Sequence, residues 1–210
     1  MLTGATLAFL LCGQEINKET LTSPLQGGST MFLTTNVVPL PKTKQSPKYD
    51  WKFDLLTIAA VANGQTQEVR LRVFGQSPQG PVFQTANSAR LLSRLYDFNM
   101  NVLRLDHSPL FGDRKVDVYL SNEGQAGGEQ MFGQDPYTPD SFGRPTKVNV
   151  IYIYDAETLN DPLEACRELT HEYGHATLPP VRVPRGREQW ANGHLGERIY
   201  MTWLRSQMRK

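Results

Sequence analysis

Residues 168 to 180 read Glu168-Leu169-Thr170-His171-Glu172-Tyr173-Gly174-His175-Ala176-Thr177-Leu178-Pro179-Pro180, and both fold and chemistry turn on this stretch being a helix. His171 and His175 then fall on one helical face with their Cβ atoms about 6 Å apart, within reach of a single ion. Neutral imidazole is a good zinc ligand. Glu172, beside the first histidine, can act on a water that zinc activates without itself binding the metal. Histidine makes up four of the 210 residues, and three of the four lie between 171 and 194.

The flanking residues specify the helix. Asp161 reads as its N-cap, Pro162 as the first helical position, and Glu164 stands three residues past the cap. Leu163, Cys166, Leu169, Tyr173 and Ala176 recur at three- and four-residue spacing and predict a buried stripe. Glu168, His171, Glu172 and His175 lie on a different face. Pro179-Pro180 ends the helix, because the residue before a proline is pushed out of the α region.

A third ligand is expected from Arg187-Glu188-Gln189-Trp190-Ala191-Asn192-Gly193-His194-Leu195-Gly196-Glu197-Arg198. Glu188, His194 and Glu197 are the candidates, and Glu188 is favoured. With 188–192 helical, Asn192 follows Glu188 by one turn on the same face and can orient a metal-bound histidine through its free ring N–H. Glu197 and His194 point elsewhere on an ideal helix begun at Glu188, and both stay open as alternatives. Pro179 to Gly186 is long enough to reverse the chain and bring this second helix back across the first. Trp190 reads as core.

These residues resemble the zincin metallopeptidases, and more narrowly the gluzincins, over about 40 residues from Asp161 to Arg198. In that group a second helix carries a glutamate ligand, often with Asp or Asn four residues later, as Asn192 follows Glu188. The metzincin pattern is absent, since Val181 stands where its histidine would be. The gap from His175 to Glu188 is shorter than in many gluzincins, and the given chain stops soon after the second helix.

Upstream, the expected order over residues 81–210 is helix, strand, glycine-rich loop, strand, metal helix, loop, helix. Ala86–Asn101 carries helix-spaced Ala89, Leu91, Leu92, Leu95, Tyr96 and Phe98. Lys115–Leu120 and Lys147–Tyr154 read as strands, the second apolar on both faces and hence central. Between them, Ser121–Gln130 reads either as a loop forming a cleft wall, with Gly127 and Gly128 near a substrate backbone, or as a flexible connection. In the resembling enzymes a strand edge near the metal pairs with an extended substrate. Residues 14–80 form a β-rich segment, with strands at Met31–Leu40, Tyr49–Ala62 and Glu68–Phe74, and Asn63-Gly64 as a turn. That segment is either a small module or an extension of the main sheet. The fold class expected is α+β: a zincin-like mixed sheet, a backing helix and a metal-binding helix, preceded by β-rich residues.

Residues 1–13 contain the apolar run Ala5–Cys12, too short to span a bilayer. It resembles the core of a secretory signal, and the expectation is export, with a cytoplasmic protein as the alternative. A formal net charge of +1 gives no reason to expect nucleic acid. Two cysteines, Cys12 and Cys166, make no disulfide framework. Cys166, on the apolar stripe, reads as an inert small hydrophobe.

The function expected is a zinc-dependent peptidase acting on peptides or proteins. Zn²⁺ is held by His171, His175 and a carboxylate, and Glu172 is general base toward the attacking water. The alternative is a catalytically inactive zincin-like module that holds a peptide or glycan. A β-rich structural domain with an incidental motif is a third class.

Overall fold

A computed structural model describes residues 17–21, 31–35, 38–39, 54–62, 65–75, 85–105, 115–139, 142, 145–182 and 190–208. Among them run strands β1 (Asn17–Leu21), β2 (Met31–Thr35), β3 (Val38–Pro39), β4 (Asp54–Ala62) and β5 (Gln65–Gly75), followed by helix α1 (Thr85–Phe98). Strands β6 (Lys115–Leu120), β7 (Gly127–Pro139) and β8 (Pro145–Tyr154) follow, then helices α2 (Pro162–Thr177) and α3 (Asn192–Gln207). The class is α+β. Residues 1–13, and with them the expected signal segment, lie outside the described residues.

One mixed sheet runs β1-β2-β4-β5-β6-β8-β7, with β3 paired to β4. The three central pairings decide the architecture. β5 lies parallel to β6 and β6 parallel to β8, whereas β7 returns antiparallel on the outer side of β8. The β-rich segment is therefore continuous with the sheet of 81–210. A parallel neighbour requires a crossover, and α1 supplies it between β5 and β6.

Alternation in β6 sorts its side chains onto two faces. Val116, Val118 and Leu120 join Leu71, Val73, Ile151 and Ile153 under the helices, where Leu92, Leu95, Leu169 and Tyr173 complete a fully buried core. On the other face Phe74, Tyr119 and Tyr152 stand in register on neighbouring strands and stack, with centroids 4.4 and 5.4 Å apart. Arg72 and Asp117, also directly opposite each other, form a buried bidentate ion pair with two bonds of 2.6 Å. Each charge is answered at the neighbouring strand, which is what makes burying both tolerable. β8 carries apolar residues on both faces and lies inside the sheet, as its pattern predicts.

Residues 127–139 depart from the sequence reading, for they form the edge strand β7 where a glycine-rich loop was expected to run to Gln130. Backbone pairing with β8 outweighs the low strand propensity of glycine and glutamine, a non-local term that sequence pattern does not carry. α1 also ends earlier than expected. It passes at Asn99 into a π-helical turn, Asn99–Leu103, closed by Arg104 at φ 57°.

α2 follows its sequence signals at both ends. Asp161 accepts a hydrogen bond from the Leu163 amide at 2.8 Å, Pro162 opens the helix, and Thr177 ends it ahead of Pro179. Such a cap contributes about 1 kcal/mol. Glu164 does not close a capping box. It pairs with Arg167, whose hydrogen bond holds the Glu164 carboxyl below its usual range. The apolar stripe is buried from Leu169 onward, whereas Leu163 is exposed and Cys166 half-buried. Burial pushes the Cys166 thiol pKa up, in keeping with a packing role.

Candidate metal centre

Gly174 and Gly196 bring α2 and α3 together. A β-carbon on Gly196 would stand 2.5 Å from Gly174 Cα, and one on Gly174 would stand 2.6 Å from the Asn192 carbonyl oxygen. Only backbone fits there. The chain reverses after α2 as expected, through an antiparallel bridge between Arg182 and Trp190. α3 begins at Asn192, with Ala191 as its cap.

Close approach of the helices carries the histidines into a defined arrangement. Nε2 of His171 and Nε2 of His175 lie 3.2 Å apart. Two nitrogens bound tetrahedrally at about 2.0–2.1 Å to one zinc would be separated by about 3.3–3.4 Å, so the spacing suits a shared ion. Each ring also has a partner behind it. Nδ1 of His175 faces Asn192 Oδ1 at 3.0 Å, and Nδ1 of His171 faces Glu197 Oε2 at 3.4 Å. With those oxygens as acceptors, both rings carry the proton on Nδ1 and present a lone pair at Nε2.

Gly193 completes the enclosure from α3. A β-carbon on it would stand 2.6 Å from His171 Nε2 and closer still to His175 Nε2. That point lies inside the ligand sphere of any ion the two nitrogens share, so a side chain at 193 would compete with the ion.

Glu172 packs against β7. It is 5 % exposed, and Gly128 is its lid. A β-carbon on Gly128 would lie 2.5 Å from Glu172 Cγ and 2.9 Å from the carboxylate oxygens of both Glu172 and Glu168. Gly127 adopts φ 145°, a conformation side chains disfavour, and passes Glu168 at greater distance. The glycine pair, on the edge strand, thus packs against the carboxylate that adjoins His171 in sequence.

The residues expected at the site divide clearly. His171, His175, Glu172, Asn192, Gly127 and Gly128 come together. Glu188 lies outside the described residues; Trp190 is in a bridge with Arg182 and α3 begins at Asn192. α3 brings two further donors to His171. His171, His194 and Glu197 each offer a ligand atom, all within 4.8 Å of one another, and the rings of His171 and His194 meet edge to face at 4.8 Å. Glu197 is half-buried and His194 exposed. Trp190, expected in the core, is 42 % exposed.

Sequence reading missed the roles of Gly193 and Gly196. Their signal was two glycines flanking a histidine in the first turns of a helix, where glycine costs about 1 kcal/mol and needs a packing reason. Tyr200 does not face the site. Its hydroxyl donates to Asn99 Oδ1 at 2.9 Å and lies 3.1 Å from Thr177 Oγ1, in a buried network that ties the π-helical turn to α2 and α3. Among the described residues no helix is long and apolar enough to cross a membrane. Comparisons with protein-family profiles, with curated proteins and with solved structures give no match.

Proposed function

We propose that this chain is a zinc-dependent peptidase. The observation that carries the reading is the pair of Nε2 atoms at 3.2 Å, with the His175 ring backed at Nδ1 by Asn192 Oδ1. Two imidazoles fixed in this way form half of a tetrahedral site, and Glu172 between them in sequence is left for chemistry.

α3 is the source of the third donor. Glu197 is the better of its two candidates: it is the more buried, it is anionic, and it stands one turn after Gly193 on the face of α3 turned to the histidines. Ligation asks a side-chain rotation of Glu197, whose Oε2 now lies against Nδ1 of His171. His194 and Glu188 are the alternatives.

Zinc, when bound, supplies Lewis acidity that makes water acidic near neutral pH and polarises a carbonyl. Glu172 takes the proton of the attacking water and delivers it to the departing amine. Its enclosure by Gly128 keeps bulk water away from the carboxylate and holds it in one position. β7 has its outer edge free of any strand in the described sheet, and an extended substrate could pair there, next to Glu172.

The test is turnover of an unfolded protein such as reduced, alkylated casein. The reading expects cleavage that a chelator abolishes and added zinc restores. Zinc-loaded protein that leaves the substrate intact would instead favour a module that only binds a peptide or glycan.

A further inference from the structure

A pocket of about 500 Å³ opens between α2 and α3, lined by Arg167, Ala191, His194, Leu195, Glu197 and Arg198. It shares His194 and Glu197 with the group around His171, so whatever fills it lies beside the proposed metal. We propose that this pocket is a subsite for a carboxylate of the peptide substrate, an acidic side chain or the C-terminus. The proposal rests on the peptidase reading for the word substrate, but not for the binding itself.

The lining holds two guanidinium groups and one carboxylate, and the three are not equivalent. Arg167 is held by Glu164, through a 2.9 Å bond from Nε and a second bond from its terminal nitrogen, and stands 3.8 Å from Glu197. Its charge is answered and its position fixed. Arg198 is exposed, one turn after His194 on α3, and forms no ion pair among the described residues. It is the cation that a ligand can answer. A guanidinium presents paired N–H donors that match a carboxylate, and it stays charged at every working pH. Ala191 and Leu195, the latter 42 % exposed, give an apolar wall for the methylene stem of a glutamate.

The test is fluorescence anisotropy with zinc-loaded Glu172→Gln protein and three rhodamine-labelled decapeptides of otherwise neutral sequence. One carries a central glutamate and an amidated C-terminus, the second glutamine and an amidated C-terminus, and the third glutamine and a free C-terminus. The pocket predicts that the first or third binds about tenfold tighter than the second, and which one does so identifies the source of the carboxylate. Arg198→Ala should remove that preference, and Arg198→Glu should transfer it to a matched lysine peptide. Equal binding by all three, no binding by any, or a preference that survives Arg198→Ala overturns the proposal. Failure to cleave casein would sink the peptidase reading while leaving this preference measurable.

Discussion

Oδ1 of Asn192 lies 3.0 Å from Nδ1 of His175, while Nδ2 of the same amide donates to the carbonyls of Gly174, His175 and Leu178 at 3.3, 3.2 and 3.3 Å. The three donations fix which end of the amide faces the ring, so Nδ1 carries the proton and Nε2 presents its lone pair toward His171 Nε2. One side chain therefore closes the end of α2 and sets the tautomer of His175.

These two duties can be separated. Asn192→Ala should weaken zinc by about 10- to 100-fold, the usual cost of losing the group behind a ligating histidine. Asn192→Asp keeps the acceptor and loses the donors, so it should hold zinc better than Asn192→Ala. It should still lose about 1–3 kcal/mol of stability. Chelator competition and thermal unfolding measure the two effects, and equal zinc affinities for both variants would contradict the assignment.

Gly193 and Gly196 should fail in different ways. Gly193→Ala meets the tips of the two imidazoles, so zinc affinity should fall at least about tenfold while the helix gains propensity. Gly196→Ala meets the backbone of α2 and should cost about 1–3 kcal/mol, because two helices must part to admit it. Circular dichroism melts together with zinc titration distinguish a site defect from a packing defect. Unchanged zinc affinity in Gly193→Ala would remove this residue from the site.

The third ligand has a direct ranking. Glu197→Ala should lose most zinc affinity, His194→Ala should lose less, and Glu188→Ala should keep it near the parent value. Metal content after dialysis against a weak chelator reads all three. A zinc-free Glu188→Ala protein would restore the sequence-based choice and displace Glu197.

Tyr200 gives a pH test of the scaffold. Burial pushes its hydroxyl up to about 12, above the value near 10 of an unfolded chain. The neutral phenol is thus favoured by folding. Its contribution is complete below about pH 10 and is lost as pH rises to about 12. Tyr200→Phe should cost about 1–2 kcal/mol at neutral pH, since Asn99 loses its donor. It should also flatten the fall in stability between those two pH values. Parallel stability curves for parent and variant would refute this.

The sequence carried α2 almost completely, because its cap, its first proline, its apolar spacing and its stop are all local signals. β8 was legible for the same reason, through apolar residues on both faces. β7 was not, since a strand of Gly128, Glu129 and Gln130 exists by virtue of its partner rather than its own propensity. α3 begins at Asn192 and Trp190 bridges to Arg182, neither of which local spacing specifies; Glu188 lies outside the described residues. The proximity of His171 to His175 was legible from their i, i+4 spacing. The approach of Gly193 and Glu197 required the crossing of two helices, which no spacing within either one encodes.

Glu172→Gln carries the most direct test of the peptidase account, read as zinc content and casein turnover on the same preparation. Zinc should remain at the parent level, about one per chain, because Glu172 is proposed as the base and not as a ligand. Turnover should fall at least about a thousandfold through loss of the general base. A Glu172→Gln protein that holds zinc and cleaves as fast as the parent would contradict the account.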